Sequence, residues 1–207
     1  MNDLDASWRS AWAAAGWAAP DHALLDDLLQ RYNEPQRHYH TLQHLSECLA
    51  QAPRVTALAE RPGEVLIALW FHDAVYDIGH RDNEARSAVM ARDAVRAAGG
   101  DDEATQRVHD LVMATEHHAM PITRDAQVLV DVDLSILGAA PIRFDEYERQ
   151  VRDEYRHVPE LLFRSKRREV LEGFLQRPRI FNTEAYAGEL EAQARSNLRR
   201  SIDQLGG

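Results

Sequence analysis

A chain of 207 residues can bury a core without disulfide or metal staples. Its 44% hydrophobic and 28% charged content excludes a disordered or low-complexity polymer. A net charge of −10 repels nucleic-acid backbones and anionic membranes, so stable binding to nucleic acid is not expected.

The predicted elements are helical throughout, because Ala, Leu, Glu, Arg and Gln dominate. Leu4 to Ala15 reads as a first helix with Trp8 and Trp12 on one face, ended by Gly16. Asp21 is placed to cap His22 to Tyr32, and Pro35 breaks the chain beyond it. Tyr39 to Ala50 follows with Leu42, Leu45 and Leu49 on its apolar side; Pro53 and Pro62-Gly63 punctuate the next region. Val65 to Tyr76 begins apolar nearly all round, the mark of a central buried helix. Asp82 or Asn83 opens a long helix to Ala98, ended by Gly99-Gly100. Asp101 to His117, Asp125 to Leu137, Arg143 to His157, Pro159 to Leu175 and Thr183 to Leu205 complete the chain. Val128-Leu129-Val130 is β-prone, but its neighbours continue at helical spacing. There is no repeat and no linker, so the expectation is an all-α bundle of roughly ten helices in a single domain over 1–207.

The longest strictly apolar run, Val65 to Phe71, is too short to span a bilayer. The N-terminus lacks the basic and apolar regions of a signal peptide, so a cytoplasmic protein is expected. The single cysteine, Cys48, rules out an intrachain disulfide and a cysteine-based zinc site, and a thiol fits a reducing compartment. The ten histidines are what these averages leave unexplained.

Chemistry-bearing side chains fall in four places. His40 and His44 are four residues apart, one turn on the predicted helix. His72-Asp73 ends the apolar run, where burying both groups is costly unless something satisfies them; a divalent metal accepts both an imidazole nitrogen and a carboxylate oxygen. Asp131 and Asp133 sit within an apolar stretch and, two residues apart on a helix, face different sides, so one can face a buried site while the other caps, pairs or meets water. Glu116-His117-His118 closes a helix, where either histidine can serve as a supporting group, a ligand to a second metal or a surface residue.

The ordered set His44, His72-Asp73 and Asp133 resembles the HD superfamily of metal-dependent phosphohydrolases. Tyr39-His40-x-x-x-His44 is similar to the motif of cyclic-nucleotide phosphodiesterases within it; this implies His44 as a metal ligand and His40 as an acid or phosphate contact. Asp133-Leu134-Ser135 is also similar, and favours Asp133 over Asp131. A wider resemblance runs through residues 37–42, Trp70 to Asp77, Asp82-Asn83-Glu84, Asp131 to Gly138 and Phe174 to Ile180. It is to a bacterial family described as predicted metal-dependent HD phosphohydrolases, which has no well-defined substrate. Lys166-Arg167 stands where that family has Gly-Arg. Hydrolases of guanosine tetraphosphate alarmones carry His-Asp-x-x-Glu-Asp; here Tyr76 replaces the Glu, so that activity is not carried over.

The resemblance implies an enzyme that hydrolyses a phosphate ester, a nucleotide or other small phosphorylated metabolite. His44, His72, Asp73 and Asp133 hold the divalent ion (Mn, Mg, Ni, Co, Zn or Fe), which acidifies a bound water. On this reading Asp77, four residues past Asp73, orients the water, and His40 protonates the leaving oxygen. Arg37, Arg86 and Arg167 are candidate phosphate clamps, since a guanidinium binds two oxygens at once. The alternatives are a dinuclear-iron HD-type oxygenase, kept open by His117 and His118, and a non-catalytic nucleotide-binding module. Trp8, Trp12, Trp17 and the last helix offer apolar surface, so a homodimer is expected, partly from the resemblance.

Overall fold

The computed structural model of the chain describes residues 2–116 and 120–206. Among them are eleven α-helices, two short 3₁₀ helices and no strand. The chain divides into two compact units, Met1–Val132 and Asp133–Gly207. The boundary falls inside a helix, with no linker, so composition gives no sign of it.

The first unit is built around α5 (Pro62–Phe71), in which every residue from Gly63 to Phe71 is buried. Seven further helices make up the unit: α1 (Asn2–Ala14), α2 (His22–Arg31), α3 (Leu42–Leu49), α4 (Ala52–Leu58), α6 (Asn83–Ala97), α7 (Asp102–Met113) and α8 (Arg124–Asp133) up to Val132. Of these, α1, α3, α4, α6 and α7 pack on α5. The N-terminus of α5 meets the end of α1 so closely that a Cβ on Gly63 would lie 2.2 Å from the Ala15 backbone nitrogen; only glycine fits. Gly16, at φ +81, ends α1 in the left-handed conformation that glycine adopts without strain.

Two of the three tryptophans expected to offer apolar surface are in this core, and the third, Trp17, is half-buried. Trp8 and Trp12 are buried; Trp8 meets Trp12 at 5.3 Å and Trp70 at 5.2 Å, both edge to face. Trp8 and Trp12 therefore add no exposed apolar surface. Two polar ties brace the unit. The buried Glu64 carboxylate accepts two hydrogen bonds from Arg107 at 2.7 and 2.8 Å, joining α5 to α7. Asp125 of α8 accepts from the Glu60 and Arg61 backbone N–H groups just ahead of α5, pairing donors that no helical carbonyl reaches.

Helix extents depart from expectation where the backbone finds a cap or another partner. The helix predicted from Tyr39 starts at Leu42, because Thr41 takes the cap position and its hydroxyl accepts from Gln43 N–H. The helix predicted to Tyr76 ends at Phe71, because the backbone beyond it finds other partners: Arg37 takes the Asp73 and Ala74 carbonyls and Ser87 takes the Val75 N–H. Ala52–Leu58 is a helix where the proline read as punctuation; Pro53 sits in its first turn, where no N–H is needed. Val128 to Val130 is helical, as its neighbours required.

The second unit holds α9 (Pro141–Glu154), α10 (Glu160–Gln176) and α11 (Glu184–Gly206), preceded by a 3₁₀ stretch at Leu134–Gly138. α11 is the organiser. Its buried Asn197 donates to the Leu137 and Ala139 carbonyls at 2.9 Å each. Its Glu191 accepts from the Ile180 and Phe181 N–H groups, and Arg195 donates to the carbonyls of Leu175, Arg177 and Pro178. The turn from α10 to α11 is thereby held by side chains of α11, which spends its inner face within the unit.

Candidate metal centre

Two short segments of the first unit meet at the end of α5. His72 is the residue at the C-terminal cap of α5, and Asp73 follows it out of the helix. His44 projects from the first turn of α3. His44 Nε2 lies 3.1 Å from His72 Nε2, and Asp73 Oδ2 lies 3.1 Å from His72 Nε2 and 3.5 Å from His44 Nε2. Both imidazoles are buried, while Asp73 keeps 18% of its side chain exposed. The centre is therefore reached from solvent on the carboxylate side.

Proton positions follow from the partners. His72 Nδ1 lies 2.8 Å from the Leu69 carbonyl oxygen, which can only accept. Nδ1 thus carries the proton and, in the neutral ring, Nε2 carries a lone pair aimed at His44 and Asp73. Three atoms that bear lone pairs converge within 3.5 Å. With both rings neutral, at most one proton, on His44 Nε2, lies among them. A divalent cation satisfies all three at once, and two imidazole nitrogens with a carboxylate are a suitable donor set for several such ions. Burial alone would raise the Asp73 carboxyl, but the imidazoles of His72, His40 and His44 prevail and hold it well below the usual carboxylate range.

Cys48, one turn beyond His44 on α3, places its Sγ 3.8 Å from both ring nitrogens of His44. His44, Cys48 and His72 each offer one potential ligand atom within 4.8 Å of the others. Sequence reasoning set the lone cysteine aside; its signal is the His-x-x-x-Cys spacing on a helix.

The other residues expected at the site fare differently. His40 precedes α3, so the two histidines do not share a helix, yet its ring comes within 6.1 Å of that of His44 and stacks on Tyr76 at 4.0 Å. Asp77 is not one helical turn beyond Asp73. It is half exposed in a turn, where it accepts from Gly79 N–H and meets His80 at 2.7 Å. Arg37, expected as a phosphate clamp, is spent inside the fold: its fully buried side chain donates to Glu34 and to the carbonyls of His40, Asp73 and Ala74. It ties the His40 segment to the Asp73 segment, and Tyr32 adds a second brace by accepting from Asp73 N–H and donating to the Trp70 carbonyl. Arg167 pairs with Glu148 in the second unit over the Tyr147 ring. Arg86 alone of the three is exposed, with no side-chain hydrogen bond or ion pair among the described residues; it lines a cleft of about 360 Å³ with Arg31, Glu34, Gln36, Tyr76 and Asp77. The Gly79 N–H and His80, and then the Arg86 charge, lower the Asp77 carboxyl. Asp131 is wholly buried in α8; Asp133 is its last residue and the first of the second unit. His117 and His118 lie outside the described residues.

No family model, no curated protein and no solved structure matches this chain. Among the described residues, no helix is long and apolar enough to cross a membrane.

Proposed function

We propose that this protein is a metal-dependent phosphohydrolase acting on a small phosphate ester, a nucleotide or another phosphorylated metabolite. The observation that carries the reading is the convergence of His44 Nε2, His72 Nε2 and Asp73 Oδ2, all within 3.5 Å, with His72 Nδ1 committed elsewhere. These three residues would hold a divalent ion, and the HD resemblance adds Asp133 as a fourth ligand. When bound, the ion neutralises charge on the phosphoryl oxygens and acidifies a water.

The chain's own groups supply the rest. His40, held against Tyr76, is the proton donor for the leaving oxygen. Arg37 and Tyr32 hold the backbone on which Asp73 rides, so the carboxylate is set before substrate arrives. Arg86 is a cation on hand for an anionic substrate, which a chain of net charge −10 otherwise repels. The test is metal analysis of the purified protein, followed by release of phosphate or nucleoside from a broad panel of esters. One bound ion with ester hydrolysis that a chelator abolishes is expected. Bound metal without turnover on any ester would favour a binding module, and two irons with oxygen-dependent turnover an oxygenase.

A further inference from the structure

We infer that Tyr39 is the positioning residue of His44, and that its hydroxyl lets this histidine exchange tautomers when metal enters. The inference rests on the metal-centre reading and adds a residue to which that reading gives no role.

Tyr39 is buried, and its hydroxyl lies 3.0 Å from His44 Nδ1. Its ring also packs at 4.7 Å on the His44 ring and at 4.8 Å on that of His40. Compare the two histidines. His72 Nδ1 faces a backbone carbonyl, which only accepts, so its neutral ring keeps one tautomer. His44 Nδ1 faces a hydroxyl, which can donate or accept.

That difference matters because His44 Nε2 sits 3.1 Å from His72 Nε2. Two facing lone pairs repel. In the metal-free protein His44 therefore carries its proton on Nε2 and shares it with His72 Nε2 or with Asp73 Oδ2 at 3.5 Å. Its Nδ1 then bears the lone pair, and Tyr39 donates to it. When a cation takes both Nε2 lone pairs, the His44 proton must reside on Nδ1. Tyr39 then accepts from it. One oxygen serves both states by rotating its O–H bond, and the ring never loses the hydrogen bond that aims Nε2 at the centre. A partner of this kind, bonded to the far nitrogen of a ligating histidine, fixes the orientation of the ring and raises its basicity; removing one typically weakens metal binding by about 10–100-fold.

The test compares wild type with Tyr39→Phe, which keeps both ring contacts and deletes one oxygen. Co²⁺ is titrated into each metal-free protein and followed by its visible absorption, and the metal-free thermal midpoint is recorded. The expected result is Co²⁺ binding weaker by about 10–100-fold; the metal-free midpoint falls as well, because the buried His44 Nδ1 loses its donor, so the affinity is the readout that a merely structural hydroxyl would leave unmoved. Imidazole nitrogen NMR of wild type supplies an independent reading: the His44 proton sits on Nε2 without metal and on Nδ1 with Zn²⁺. Equal Co²⁺ affinity in Tyr39→Phe, or one His44 tautomer in both states, would overturn the inference while leaving the metal centre standing. A wild type that binds neither ion overturns the centre, and the inference with it.

Discussion

Replacing Arg37 by Met separates a structural role from a substrate-binding one. Met keeps an unbranched apolar stem in a place where the native side chain is fully buried. What is lost is the guanidinium, and with it the donors to the carbonyls of His40, Asp73 and Ala74 at 3.2, 2.6 and 3.1 Å. A buried acceptor left without a partner costs about 1–3 kcal/mol. Three such groups, two of them only partly buried, give a loss of about 3–5 kcal/mol, a large share of a domain's usual margin. All four tryptophans lie at or before position 70, so tryptophan fluorescence during urea unfolding reports on the first unit alone. Arg37→Lys should recover only part of the loss, because an ammonium cannot span the same fork of acceptors. Arg86→Met, made at an exposed position, should stay within about 0.5 kcal/mol of wild type. The reasoning fails if Arg37→Met unfolds like wild type while raising KM for a phosphate ester, for then the guanidinium faces substrate.

Other outcomes follow from the same geometry. His72→Ala and Asp73→Ala should each abolish bound metal, measured by elemental analysis, with helical circular dichroism retained; full occupancy in both would remove the centre. Asp133→Ala should lose metal and Asp131→Ala should not, and the reverse result would exchange their roles. His40→Ala should retain metal yet lose about 10²–10⁴-fold in turnover, the usual worth of a general acid. Asp77→Ala should cost far less, since Asp77 is engaged with Gly79 and His80 in an exposed turn. Burial pushes the phenols of Tyr32 and Tyr147 above their ordinary value. Their contribution to stability is therefore fully present below about pH 10 and is lost as pH rises through the elevated folded values. Phenolate absorbance should show Tyr32 and Tyr147 ionising only as the protein unfolds in alkali, and Phe at both positions should shrink that late phase. Early ionisation of all the tyrosines would contradict their burial.

How much of this protein its sequence determined depends on the range of the forces involved. Helix existence and the buried character of α5 rest on local propensity and on an apolar run, and both are read within a few residues. The pairing of His72 with Asp73 at the end of that run is equally local. Where helices stop was decided by partners distant in the chain. Arg37 and Ser87 take the backbone groups that would have carried α5 on to Tyr76, and they come from 36 and 12 residues away. The same contacts remove Asp77 from the face of Asp73 and turn Arg37 from a ligand for substrate into a brace. Periodicity cannot foresee this, because one side chain with several donors outbids the next helical hydrogen bond only where the fold delivers it. The tryptophans show the same limit. Trp8 and Trp12 read as a free apolar face, yet both are buried, and Trp70, more than fifty positions on, packs against Trp8. Sequence set which residues offer potential ligand atoms, while tertiary packing set which of those atoms point at one another: His72 Nε2 faces His44 because Leu69 holds the other nitrogen, and the Tyr39 hydroxyl meets the far nitrogen of His44.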